Sequence, residues 1–193
     1  MVSGRRKMLA ARDDLVDRIS EIADSKGFTL FGLINSLLEL AVKVENMGIS
    51  LEEAVDQHEA IRAVRDASFT LVLESLLFET AEIAYRRAKD KALKIWFEAG
   101  VWVAKRYITR GIEDPFAAVG KDLKAFSWNT PEFTIERLEK EVSVRVLSPR
   151  FSESYTLLFN RFLEGILETF GYSITYKEVG RGNIRLEAVK RGS

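Results

Sequence analysis

Residues 5–48 decide the organisation of the chain, and they read RRKMLAARDDLVDRISEIADSKGFTLFGLINSLLELAVKVENMG. A basic segment at residues 5–11 precedes an acidic helix start at Asp13 and Asp14. Apolar residues then recur every three or four positions, which predicts a helix with one buried face. Gly27 favours the end of this helix, and Thr29 is typical of a cap on a second helix that is apolar nearly all round.

The second helix needs a partner, because one short strand and two helices bury too little apolar surface alone. The order of basic strand, helix, glycine turn and apolar helix resembles the ribbon-helix-helix repressors. This resemblance covers about the first quarter of the chain. It implies that two chains pair their strands into a ribbon that lies in the DNA major groove.

A DNA-binding face follows from strand alternation in the basic segment. With Leu9 and Ala11 facing inward, every second residue points to the groove, and the other basic side chains neutralise phosphates. Backbone N–H groups at the start of the second helix bind a phosphate. The predicted DNA-binding residues are Arg5, Arg6, Lys7, Met8, Ala10, Arg12, Thr29 and Leu30. Non-specific DNA binding, a purely dimerising ribbon and a disordered, solvated arm stay open as alternatives.

Composition narrows the class of protein. The 193 residues carry 29 basic and 29 acidic side chains, so no global field attracts nucleic acid and any contact is confined to the basic end. The absence of cysteine excludes disulfides, cysteine zinc sites and thiol catalysis. No signal peptide is visible, and the apolar window at residues 30–44 is too short and polar to span a bilayer. We therefore expect a cytoplasmic protein without a membrane partner.

Catalytic and metal-binding patterns are not found. The single histidine, His58, lies on a polar helix, and no Ser-His-Asp set can be assembled around it. Gly180 and Gly182 lie between strands rather than before a helix, so they do not form a phosphate loop. The sequence predicts neither an enzyme nor a metal site.

The rest of the chain predicts a helix-rich α+β fold. Ser50 and Glu53 form a capping-box pattern that opens a polar connector helix. Beyond it the pattern predicts an antiparallel sheet packed against helices. The predicted strands are residues 69–73, 142–146, 173–179 and 184–189, and the predicted helices are residues 74–89, 92–109, 114–125 and 154–170. Residues 180–183, between the last two strands, contain the glycine and asparagine that favour a hairpin turn.

This order of elements resembles the four-vinyl-reductase type of small-molecule sensor domain, which is related to heme-dependent nitric-oxide sensors and to TRAPP subunits. The resemblance rests on FTLVLESL at residues 69–76, FEAG at 97–100 and FLEGIL at 162–167. It implies that Gly100 packs closely against another element and that a glycine of the last helix, Gly165, faces the sheet.

The sensor-domain resemblance also bears on ligands. Many relatives carry a cysteine pair near the final hairpin, and this chain has none, so only an apolar pocket is inherited. His58 lies outside the sensor-like region, and neither heme nor any other cofactor is predicted. The candidate ligand-binding residues are Trp96, Trp102, Phe126, Phe159 and Phe162. Aromatic residues at helical spacing also fit an ordinary core, and this alternative stays open.

The sequence thus predicts three regions: a ribbon-helix-helix unit at residues 1–48, a connector helix at 49–66 and a sensor-like domain at 67–193. We expect a homodimer or higher oligomer that binds double-stranded DNA and regulates transcription. Its second domain is expected to sense a small apolar ligand or to mediate oligomerisation. The rival interpretations are a dimeric interaction scaffold and a small-molecule-binding protein, or vestigial enzyme, without DNA binding.

Overall fold

The structure, a computed structural model, describes residues 7–66, 69–127 and 130–192. Helices make up 60% and strands 17% of these described residues, which confirms the predicted helix-rich α+β class. The elements are α1 (Asp13–Ser25), α2 (Leu30–Asn46), α3 (Leu51–Asp66), α4 (Glu74–Arg87), α5 (Lys89–Thr109), α6 (Pro115–Phe126), β1 (Glu132–Leu138), β2 (Glu141–Leu147), α7 (Glu153–Thr169), β3 (Tyr172–Gly180) and β4 (Asn183–Lys190). The chain divides within α3 into unit 1, residues 1–56, and unit 2, residues 57–193.

The helices of unit 1 begin and end at the residues that the sequence indicates. The Thr29 side chain caps α2 by accepting a hydrogen bond from the N–H of Gly32 at 3.1 Å. Gly27 has a φ of +69°, the left-handed conformation that closes α1. The predicted capping box opens α3: the Ser50 N–H donates to the Glu53 carboxylate at 2.7 Å, and the Glu53 N–H donates to the Ser50 hydroxyl at 3.1 Å.

Unit 1 has almost no interior of its own. Ala23 is the single buried residue among those of α1 and α2. Leu30 and Ala41 on α2 are half-buried, whereas Leu38 is 46% and Val42 is 61% exposed. Burial of apolar area supplies most of the stability of a fold, so these helices alone lack what a stable small domain requires.

The described part of the basic segment forms no strand in the single chain. Residues 7–12 have no regular secondary structure and are exposed, and Arg5 and Arg6 lie outside the described residues. A strand requires a hydrogen-bonded neighbour, and no described segment of the same chain pairs with this one. The predicted strand is therefore wrong for the single chain, and the two-chain ribbon stays a prediction.

Unit 2 is built on a four-stranded antiparallel sheet with the strand order β1-β2-β4-β3. β2 alternates as predicted, since Val142, Val144 and Val146 are buried and the side chains between them face outward. β3 and β4 form the predicted hairpin and are joined by Arg181 and Gly182. Gly182 has a φ of +72°, a conformation that favours glycine.

The central helix of unit 2 is α7, which packs against α5, β3 and β4 and is mostly buried. It meets α5 at two glycines. A Cβ atom on Gly100 would overlap the carbonyl oxygen of Phe162, and one on Gly165 would overlap that of Phe97. The close packing predicted for Gly100 is confirmed. The prediction that Gly165 faces the sheet is wrong, because this glycine lies against α5.

Residues 69–73 contain no strand, so the strand predicted there is wrong. Their β-forming side chains do not suffice, because strand propensity acts through packing beside a neighbouring strand. The segment is held instead by Phe69, whose ring centroid lies 5.4 Å from that of Phe126. Leu71 and Leu73 are 79% and 73% exposed. The segment is thus an irregular stretch before α4.

A buried carboxylate ties α7 to the sheet. Glu164 accepts hydrogen bonds from the amide of Asn160 at 2.7 Å and from the ammonium of Lys177 on β3 at 2.6 Å, and it also pairs with Arg161. Burial acts to raise the pKa of Glu164, but the hydrogen bonds from Lys177 and Asn160 outweigh it. The pKa therefore lies below the usual range of a glutamate.

Replacing Glu164 with glutamine is expected to lower the free energy of unfolding at pH 7 by about 1–3 kcal/mol, since hydrogen bonds to a charged group are lost in a buried site. A lowered folded-state pKa contributes stability above the unfolded-state value near 4.5. This contribution is lost as the pH falls through the folded-state pKa. Urea unfolding of both proteins should thus show a difference that shrinks below pH 4.5; a constant difference would contradict the charge-based explanation.

No single helix among the described residues is long and apolar enough to cross a membrane. α1 and α2 reach the required length and composition only when they are taken together, across a bend of 104°.

Candidate functional site

Unit 2 contains an apolar cavity of about 490 Å³, within the size range of small-molecule sites. The irregular segment before α4 forms one wall, and α4, α5, α6 and α7 supply the others. The lining residues are Phe69, Thr70, Leu71, Val72, Glu74, Leu77, Phe78, Trp96, Leu123, Phe126, Ser127, Thr130, Phe151, Tyr155, Phe159 and Phe162.

Tyr155 stands at the centre of the aromatic side chains around the cavity. Its ring centroid lies 4.6 Å from that of Phe78 and 4.7 Å from that of Phe151. Trp96 meets the same ring edge-on at 5.5 Å, and Phe159 stacks on it at 5.9 Å. Rings in such contacts stabilise one another and hold a fixed orientation. The cavity therefore has a preformed aromatic wall.

The polar groups of the cavity are few. Glu74 is one of the lining residues, and its carboxylate forms an ion pair with Arg150, which is not a lining residue. Burial, together with the nearby charge of Glu74, raises the pKa of Tyr155 to about 12. Tyr155 therefore keeps its hydroxyl proton at neutral pH. The Ser127 hydroxyl donates to the carbonyl of Leu123 at 2.8 Å and is already engaged.

Four of the five residues predicted to bind a ligand lie together. Trp96, Phe126, Phe159 and Phe162 all line the cavity. Trp102 does not lie with them: it is not among the residues that line the cavity, is 50% exposed and lies under the guanidinium of Arg106, so a ligand contact for it stays a prediction. Six positions separate it from Trp96, and six residues rotate a helix by about 240°, so the two side chains leave α5 in different directions.

Sequence reasoning missed several lining residues, among them Phe78, Phe151, Tyr155 and Glu74. The sequence did contain a signal for Phe151 and Tyr155. Phe151, Tyr155, Phe159 and Phe162 follow one another at intervals of four, four and three residues, the spacing of one helical face, although Phe151 lies just before α7. Glu74 carried no comparable signal, because a carboxylate in the first turn of a helix is ordinary.

The predicted DNA-binding residues lie in or beside α1 and α2. Arg5 and Arg6 are outside the described residues, and Lys7, Met8 and Ala10 are exposed. Arg12 is exposed too, but its guanidinium already binds the carboxylate of Asp14 with two hydrogen bonds, at 3.0 and 2.7 Å. A phosphate would have to compete with Asp14 for this side chain.

The start of α2 offers backbone donors. The Thr29 hydroxyl accepts from the N–H of Gly32 and so occupies one donor of the first turn. The N–H groups of Thr29 and Leu30 have no acceptor among the described residues. The first N–H groups of a helix lack intrahelical partners and attract anions. These two groups remain the predicted phosphate contacts.

The charge of unit 1 is unevenly distributed. Residues 1–56 contain seven basic and ten acidic side chains. Four of the basic ones, Arg5, Arg6, Lys7 and Arg12, precede α1. Asp13, Asp17, Glu21 and Asp24 follow at intervals of four and three residues and therefore share one face of α1. The basic side chains of unit 1 are thus concentrated before α1, and an acidic helical face follows them.

The described ranges contain no group of three or more His, Asp or Glu side chains that could hold a metal ion, and His58 is exposed on α3. Comparison with known proteins adds no assignment: no family model, curated protein or solved structure matches this chain. The ribbon-helix-helix and sensor-domain resemblances therefore stay predictions.

Proposed function

We propose that the protein is a homodimeric, DNA-binding transcriptional regulator whose unit 2 binds a small, largely apolar molecule. The observation that carries this proposal is the pairing of two unlike parts in one chain. Unit 1 exposes apolar helices beside a basic segment, and unit 2 surrounds a preformed aromatic cavity. A cytoplasmic location accords with this function.

Dimerisation is supported by the exposed apolar surface of α2. Leu38 and Val42 lie one helical turn apart, and Leu37 and Leu40 are also exposed. Glu39, Lys43 and Glu45 are the only charged residues of this 17-residue helix. A second copy of unit 1 would bring an identical apolar surface, which is the requirement of a two-fold interface. Its burial would supply the interior that unit 1 lacks.

DNA binding is supported by the position of the basic segment. It precedes α1, and its described residues, 7–11, are exposed and pair with no described strand of their own chain. In a dimer two such segments would lie side by side and could pair as antiparallel strands. The pairing would double the local positive charge and satisfy the backbone of both segments. The proposed regulation is a shift in population: the ligand binds one arrangement of the dimer better and so changes its affinity for DNA.

The test of DNA binding is a salt series. Wild-type protein is titrated into a fluorescent mixed-sequence duplex, and anisotropy is followed from low to moderate salt. Log affinity is expected to fall by about 0.9 per neutralised phosphate for each unit of log salt. Replacing Arg5, Arg6 and Lys7 with alanine should abolish binding. If weak binding persists, the slope should be smaller by roughly 5, because six basic side chains leave a dimer.

A matched control removes the same number of positive charges from unit 2 instead of from the basic segment. Alanine at Lys91, Lys105 and Lys121, which are exposed, removes the same number of charges. This variant should bind DNA as the wild type does. Sedimentation should show that both variants keep the oligomeric state of the wild type. Equal DNA affinity of the wild type and the variant with alanine at Arg5, Arg6 and Lys7 would contradict the proposal.

The acidic face of α1 favours a second candidate function. Four carboxylates on one helical face, and the engagement of Arg12 by Asp14, oppose the approach of a polyanion. The alternative is a dimeric interaction or ligand-binding protein that does not bind DNA. Absence of binding at low salt, with the dimer and the cavity both intact, would select this function.

A further inference from the structure

The charge of the cavity wall is one-sided. Among the described residues that line it, Glu74 is the only acidic one, and none of them is lysine, arginine or histidine. Arg150, which is not a lining residue, pairs with the Glu74 carboxylate, and the charge of Glu74 still acts on Tyr155 in the cavity wall. Tyr155 remains protonated and contributes no second negative charge. The described wall therefore contributes one carboxylate, paired with Arg150 behind it, and no cationic lining residue.

Aromatic side chains lie close to this carboxylate along the chain and in space. Phe78 follows Glu74 by one helical turn on α4, and its ring contacts both Tyr155 and Phe151. Tyr155 lies near enough to Glu74 for the carboxylate to contribute to the rise in its pKa. Aromatic faces attract cations, and the attraction strengthens where water is excluded. Carboxylate and ring faces thus favour the same charge.

We infer that the cavity selects an aromatic-sized organic cation, such as an arylalkyl amine, over neutral and anionic molecules of the same shape. This inference rests on the proposed function, because it takes the cavity to be the ligand site. An anion would lose its hydration without meeting a cationic partner, which is costly in an apolar site. A neutral molecule gains only apolar burial. An ammonium adds a charge-assisted hydrogen bond to Glu74 and contacts with ring faces.

The test uses three molecules that share one ring system: 1-naphthylmethylamine, 1-methylnaphthalene and 1-naphthoate. Binding to the full chain is measured by calorimetry at pH 7, where the amine is protonated and the acid ionised. We expect the amine to bind about tenfold or more tightly than methylnaphthalene, because cation–π contacts and charge-assisted hydrogen bonds each exceed neutral contacts. Naphthoate should bind most weakly.

Two substitutions on the ion pair should act in opposite directions. Glu74→Gln keeps the size of the side chain and removes its charge, so the advantage of the amine should disappear while the affinity for methylnaphthalene stays unchanged. Arg150→Gln frees the carboxylate from its partner and should raise the affinity for the amine. Because Glu74 and Arg150 are partly exposed, neither change opens the core.

The possible results test the charge selectivity of the cavity separately from its role as a ligand site. Tight amine binding that Glu74→Gln reduces to the level of methylnaphthalene supports the inference. If methylnaphthalene or naphthoate binds as tightly as the amine, the charge selectivity is overturned and the cavity stands as a ligand site. If none of the three binds, the cavity is not a site for ring systems of this size, and both the inference and the sensing part of the proposed function are overturned.

Discussion

Replacing Gly100 with alanine is expected to lower the free energy of unfolding of unit 2 by about 3 kcal/mol or more. The new methyl group would overlap the backbone carbonyl of Phe162 and lie 3.1 Å from the N of Ile166. Backbone atoms cannot rotate away as a side chain can, so α5 and α7 must separate. Both helices carry core residues and line the cavity. Urea unfolding followed by circular dichroism measures the change.

Gly120 provides the matched control, since it also lies within a helix. A Cβ atom there would meet the side chain of Ile135 at 3.7 Å, an ordinary contact. Gly120→Ala should therefore raise stability by up to about 1 kcal/mol, because alanine favours a helix more than glycine does. If Gly100→Ala were as stable as Gly120→Ala, the close approach of α5 and α7 would be refuted.

Replacing both Leu38 and Val42 with aspartate is expected to convert the proposed dimer to a monomer and to abolish DNA binding. Two carboxylates on the apolar surface of α2 would be buried without partners in a dimer, at a cost of several kcal/mol. Analytical ultracentrifugation gives the mass, and circular dichroism shows whether α1 and α2 lose their helical signal as the burial argument requires.

Ile83 supplies a control on the surface of unit 2, where it is 61% exposed. Ile83→Asp adds a carboxylate to another exposed apolar position and should leave the mass of the wild type unchanged. A dimer that survives the double substitution in α2 would contradict the proposed interface. A wild-type protein that sediments as a monomer would exclude the dimer altogether.

Local signals predicted much of the fold, because caps, turns and alternation act over a few residues. Thr29, the capping box of Ser50 and Glu53, and the hairpin at Gly182 all lie as the sequence indicates. The sequence contains less information about which elements distant in the chain pack beside one another. The strand expected at residues 69–73 does not form, since a β-forming composition does not specify a neighbour. The partner of Gly165 also depends on which element packs beside α7, and the pattern of one helix does not encode this.

The cavity was predicted in part. Trp96, Phe126, Phe159 and Phe162 lie around it, although they come from three elements distant in sequence. Trp102 lies outside the cavity because its helical phase on α5 differs from that of Trp96. Glu74 was missed because its importance comes from the aromatic rings around it rather than from its own pattern. The aromatic content of the sequence thus indicated an apolar cavity, and the packing of the helices determines which side chains line it.

The scarcity of buried residues in unit 1 has a consequence for gene dosage. If Ala23 is the only buried residue among the described residues of unit 1, the proposed DNA-binding end becomes ordered only when two chains meet. By mass action, the amount of ordered pairs then rises with the square of the chain concentration while chains are scarce. A twofold change in synthesis would give about a fourfold change in the DNA-binding species. The protein would thus respond steeply to its own abundance even without a ligand.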